Sequence, residues 1–113
     1  MRHPLGSEPA TRRRFEEATV VDHRVVEGAA TDTPMWGSFQ PLEGEELEQL
    51  DVGDRRRNSQ KVYTNTNLRI VEGSVPCDHV IFDGIEYEVH VVKRYRQVLP
   101  HYSAVLLELQ EGM

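Results

Sequence analysis

One short stretch restricts the fold more than any other. The run Val80-Ile81-Phe82 is followed by Asp83-Gly84, after which Ile85, Tyr87, Val89 and Val91 alternate with Glu86, Glu88 and His90. Alternation of this kind puts successive side chains on opposite faces of an extended chain, one apolar and one charged. Asp-Gly suits a type I′ turn, because both central residues need positive φ, which Asp tolerates and Gly adopts freely. The segment therefore predicts a β-hairpin with Ile85, Tyr87, Val89 and Val91 inward, in a sheet with one wet face.

The remaining chain is read around that hairpin. Residues 15–26 (FEEATVVDHRVV) are rich in β-branched side chains, and period-two counting places Phe15, Thr19, Val21 and Val25 on one side of a single strand. Residues 28–34 form a small-residue connection, and a second strand over 35–42 is pinned by Trp36. Within residues 43–50 the character changes. Leu47 and Leu50 recur at helical spacing, glutamates crowd the first turn where the helix dipole favours anions, and Gly53 follows as a stop signal. So short a helix must cover an open end or face of something else with Leu42, Leu47 and Leu50. Residues 61–66 read as a strand, with Asn65-Thr66-Asn67 turn chemistry ahead of residues 68–71. In the last segment, YSAVLLELQ, Val105, Leu107 and Leu109 are expected inward and Leu106 and Glu108 outward. The expectation is a mainly β protein: a small antiparallel β-barrel of about six strands with one short helix inserted and long loops, closed or nearly closed, closure being what hides the sheet edges.

A chain of 113 residues has room for one domain. Residues 1–14 are expected to be a flexible N-terminal arm, since Pro4, Gly6, Ser7 and Pro9 interrupt any hydrophobic period, and residues 15–113 the single barrel domain. The longest apolar run, residues 104–107, is far too short to span a bilayer, so no membrane role is expected. Thirteen Lys and Arg against nineteen Asp and Glu give a net charge of -6, which repels a polyanion at long range. The charge is nonetheless uneven. Arg12, Arg13 and Arg14 form one basic triplet, Arg55, Arg56 and Arg57 a second, and Glu43, Glu45, Glu46 and Glu48 an acidic cluster. Such runs are either solvated faces or opposite patches suited to contacts between subunits.

Catalytic chemistry finds little to work with. The five histidines sit on different elements without paired spacing, and Cys77-x-His79 lacks further ligands, so no metal and no cofactor are expected. As the lone cysteine, Cys77 allows no internal disulfide, which suits assembly in a reducing cytoplasm. There is no G-x-S-x-G elbow and no phosphate-cradling glycine loop. Glu86 and Glu88 are the ordinary outer face of a half-buried sheet. Only Lys93-Arg94-Tyr95-Arg96 looks like the interleaved basic and aromatic pattern of a strand-binding barrel. A non-enzymatic protein is expected.

Residues 37–66 carry a more specific pattern: Gln40-Pro41-Leu42, Gly44, Glu46-Leu47, Leu50, Gly53, Arg55 and Tyr63-Thr64, followed by the 78–89 hairpin. In order and spacing this resembles a family of small tailed-bacteriophage proteins, the head-completion or stopper proteins of the head-to-tail connector. The resemblance implies a small β-barrel with projecting loops that forms a homo-oligomeric ring, a dodecamer or hexamer, in the virion neck. It also implies portal or adaptor proteins on the head side, a tail or tail-terminator protein on the other, and double-stranded DNA passing through the channel. Such a protein is assembled in the host cytoplasm and helps to retain packaged DNA. The neighbouring connector roles, adaptor and tail terminator, are alternatives within this reading. A free-standing small-barrel adaptor for nucleic acid or protein is the alternative outside it. Trp36, Glu45, Glu46, Arg55, Arg56 and Arg57 are the expected contact residues between subunits or partners.

Overall fold

The hairpin predicted at Asp83-Gly84 is present in the computed structural model, which describes residues 7–17, 19–26, 28–50, 58–95 and 101–109. Asp83 and Gly84 have φ of 54° and 78°, as a type I′ turn requires. The elements in order are β1 (Glu8–Phe15), β2 (Thr19–Val21), β3 (Arg24–Val26), β4 (Ala30–Pro41), α1 (Glu45–Glu48), β5 (Ser59–Thr64), β6 (His79–Phe82), β7 (Ile85–Tyr95) and β8 (His101–Glu108). Six strands close into an antiparallel barrel in the order β1-β4-β5-β8-β7-β6, and among the described residues β2 and β3 pair only with each other.

The barrel interior is filled by one side-chain layer from every strand. Met35, Val62, Val80, Tyr87, Val89, Ala104 and Leu106 are buried together with Leu68 from the connecting loop, and Ala10, Phe39, Phe82, Ile85 and Val92 pack against them. Phe39 and Phe82 stack face to face at 3.9 Å at one end. Gly37 belongs to the inward row of β4, where an added Cβ would meet Val62 Cγ2 at 2.6 Å, so a bare backbone is what lets β4 and β5 approach there.

A second, smaller core lies outside the barrel wall. Leu42 and Leu50, flanking α1, bury against Leu107, whose side chain points away from the interior, with Leu47 and Val105 alongside. The helix thus covers a face, as its leucine spacing predicts. Because β8 is apolar on both faces, the expected phase is reversed: Ala104 and Leu106 face the barrel core, while Val105 and Leu107 face α1.

Other expectations are corrected. Residues 8–14, expected within a flexible arm, form most of β1, which pairs with β4 along its whole length and with β6 through Thr11, Arg12 and Arg13. The single strand over 15–26 is two short strands, broken at Asp22 and His23, whose φ of 50° and 63° make a second I′-like turn. Residues 30–34, expected in a loop, already belong to β4. In β7 the register shifts between Val89 and Val91, so the extra residue His90 turns Val91 outward and Val92 inward. Residues 68–71 form no strand.

Candidate functional site

One end of the barrel is closed by charge rather than by apolar packing. The inward row of β1 reads Ala10, Arg12, Arg14, so two guanidinium groups project over the end of the core at the spacing that period two dictates. They meet Asp78, just before β6, whose side chain is 0% exposed. Arg14 binds it through two parallel bonds, Nε to Oδ1 at 2.9 Å and Nη2 to Oδ2 at 2.7 Å. The backbone N–H of Arg69 donates to Asp78 Oδ2 at 2.8 Å, and the Asp78 N–H donates back to the Arg69 carbonyl at 2.9 Å. Asp78 also accepts the Val89 N–H at its own carbonyl, 3.0 Å away. Asp78, through its carboxylate and its backbone, therefore ties β1, the loop before β6, and β7 together.

Two more cations stand at this carboxylate. Arg69 Nε lies 3.6 Å from Asp78 Oδ1, inside ion-pair range but beyond a hydrogen bond, while its Nη2 donates to the Phe15 carbonyl at 3.0 Å. Arg12 Nη1 donates to the Asn67 carbonyl at 3.3 Å. The Nε atoms of Arg12 and Arg69 are both buried without a hydrogen-bond partner among the described residues. Burial, followed by repulsion from Arg14 that outweighs attraction to Asp78, lowers the Arg12 guanidinium from its ordinary value. Above this group opens a cleft of about 480 Å³ lined by Arg12, Arg14, Phe15, Thr31 and Arg69, with Glu16 and Glu17 exposed at its rim.

Arg13 points the other way, onto the outer face. Its guanidinium bridges Asp32 of β4, at 2.9 and 3.1 Å, and Glu86 of β7, at 3.0 Å, and Glu86 in turn contacts His79 Nδ1 of β6 at 2.6 Å. Phe15 packs edge-on to the His79 ring at 4.7 Å. The chain of charges crosses the β1–β6 seam where the barrel closes. The Arg13 contact also holds the Asp32 carboxyl below its usual range, chiefly through their hydrogen bond.

The expected contact residues are distributed as follows. Trp36 is 40% exposed on the outer face of β4, and its carbonyl accepts the Thr64 hydroxyl at 2.6 Å. Glu45 is exposed on α1. Glu46 pairs with Lys61 at 2.6 Å, and this bond, with Tyr63 adding a smaller share, raises the Lys61 ammonium well above its ordinary range. Arg55, Arg56 and Arg57 lie outside the described residues. Of the strand-end basic pattern, Arg94 sits over the Tyr102 ring at 5.8 Å. Reading from sequence missed the Asp78 cluster. Its available signal was Arg-x-Arg at strand period together with an acid placed before the inward row of β6.

Among the described residues no three His, Cys, Asp or Glu side chains come together as metal ligands. Cys77 is buried, and burial pushes its thiol up from the ordinary value. No helix among the described residues is long and apolar enough to cross a membrane.

No protein-family model matches the chain, and no curated protein matches it.

Proposed function

We propose that this chain is a structural subunit of a tailed-phage neck, a head-completion or stopper protein that forms a ring between the portal and adaptor of the head and the tail. The Gln40-to-Thr64 pattern supports this reading at the level of sequence. The observation that carries it in the structure is the β2–β3 extension beside a barrel that has no free edge. Among the described residues these two strands hydrogen-bond to no other strand, and Val20 and Val21 of β2 are 72% and 53% exposed. A small protein that hides every barrel edge but holds out a two-stranded ribbon with exposed valines is built to be covered by a neighbour.

In this role the polar groups have assembly work. Asp78 and the Arg13 bridge lock the seam, so the barrel acts as a rigid body, while β2–β3 and α1 supply differentiated surfaces for unlike contacts. Cryo-electron microscopy of purified virions tests the reading. A symmetric ring at the neck whose density accepts the barrel and the β2–β3 ribbon is the expected result. A neck wholly accounted for by other proteins overturns it and leaves the free-standing small-barrel adaptor.

A further inference from the structure

We propose that the arginine-lined cleft at one end of the barrel is the docking site for the acidic helix of a second copy of this chain, with Glu43 and Glu45 of one copy approaching Arg12 and Arg69 of the next. This deepens the ring reading and rests on it for its setting in the neck.

Charge is the first support. Within the cleft three guanidinium groups face one buried carboxylate, and Arg14 already takes both oxygens of that carboxylate in a bidentate pair. Arg12 and Arg69 therefore line the cleft as cations in excess of that carboxylate, and an entering carboxylate would meet their guanidinium groups as a charged acceptor. The rim carboxylates Glu16 and Glu17 do not fill that position. Glu17 is engaged by the Ser74 hydroxyl, and Glu16 is exposed with its backbone N–H bound to the Ala29 carbonyl at 3.0 Å. Those acids and the net charge of -6 oppose a continuous polyanion more than a turn of helix bearing a few carboxylates.

Placement is the second support. Thr31, which lines the cleft, is near the start of β4, and Pro41, which leads into α1, is its last residue. At the rise of an extended strand, ten residues separate the two patches by roughly 33 Å. A rigid barrel cannot bring its own helix to its own cleft. Two complementary patches on opposite ends of one subunit define a head-to-tail contact, the kind that closes into a ring when the rotation allows.

The test uses two full-length variants, Arg12→Glu and the double variant Glu43→Arg with Glu45→Arg, in sedimentation velocity at low and high salt, with circular dichroism to confirm folding. Both glutamates are exposed, Glu45 on α1 and Glu43 just ahead of it, so their reversal leaves the barrel intact even if Arg12→Glu should not. The wild type is expected to self-associate in a salt-sensitive way, and each variant alone to associate more weakly by on the order of tenfold or more. An equimolar mixture of the two variants is expected to recover, because each unlike pair restores opposite charges at both contacts. A mixture no better than its components, reversals without effect, or a wild type that stays monomeric throughout each overturns the inference. So does a short DNA duplex that binds wild type but not Arg12→Glu, which would make phosphate the ligand. A neck ring in which α1 lies away from the neighbouring cleft overturns this contact but leaves the neck function standing. Charge-swap recovery with a neck free of this chain does the reverse.

Discussion

Asp78 gathers β1 and the loop before β6 onto one side chain. Its carboxylate takes two bonds from Arg14 and one from the Arg69 backbone, all at zero exposure. Removing its charge leaves Arg14 half-buried against a neutral amide beside two other cations, and breaking a buried pair in this one-sided way costs about 3–5 kcal/mol. Asp78→Asn is expected to lower stability in urea by that amount, whereas Glu46→Gln, which breaks the more exposed pair to Lys61, is expected to cost under about 1 kcal/mol. Equal losses in the two variants would show that the hub is no stronger than a surface pair. Cys77 makes a pH-dependent prediction. Burial raises its thiol in the folded state above the ordinary value of 9.0, so the unfolded chain ionises first. Its contribution is fully present below that value and is lost as pH climbs toward the folded one. The alkaline decline in stability is therefore expected to be shallower in Cys77→Ala, measured by denaturation at pH 8 and pH 10. Parallel curves would contradict it.

At the scale of elements, legibility followed the number of buried faces. The β6–β7 hairpin could be read because one face is wet and the Asp83-Gly84 turn has its own chemistry. β8 could be located but not phased, since α1 covers its outer side and makes Leu107 as buried as Leu106. β1 was hidden for the opposite reason: its inward row is Ala10, Arg12 and Arg14, so a strand contributing charge to a barrel mouth has no apolar period to detect. The cleft went unread with it, because its acid lies more than sixty residues away in the chain. Phase now makes a prediction. Leu106→Ala, which opens space in the closed interior, is expected to cost about 2–5 kcal/mol, and Val105→Ala, on the α1 side and only partly buried, clearly less. The reverse order in chemical denaturation would restore the opposite phase. The β2–β3 ribbon should be dispensable for folding. The Glu16 N–H to Ala29 carbonyl bond already closes its base, so replacing residues 17–28 by a two-residue turn is expected to leave the barrel spectrum and melting temperature nearly unchanged. A large drop would mean that the ribbon packs on the barrel.

For the whole molecule the decisive feature is closure. β1 bonds β4 on one side and β6 on the other, and the Arg13 bridge to Asp32 and Glu86 spans both junctions. Deleting residues 1–15 is therefore expected to open the barrel and give an aggregating chain, where removal of a mere arm would be silent; solubility and circular dichroism of the truncated protein decide between these. Closure also sets an order in time. β8 is the last of these strands in the chain, and it is the one that joins β5 to β7, so the barrel is sealed only when it arrives. Pairings distant in sequence slow folding, and a barrel waiting for its final strand presents two open edges. During that interval the β8 of another copy is chemically identical to the missing piece. Crowded synthesis of many copies thus carries an inherent tendency to exchange these closing strands, a hazard governed by expression rate rather than by the stability of the finished barrel.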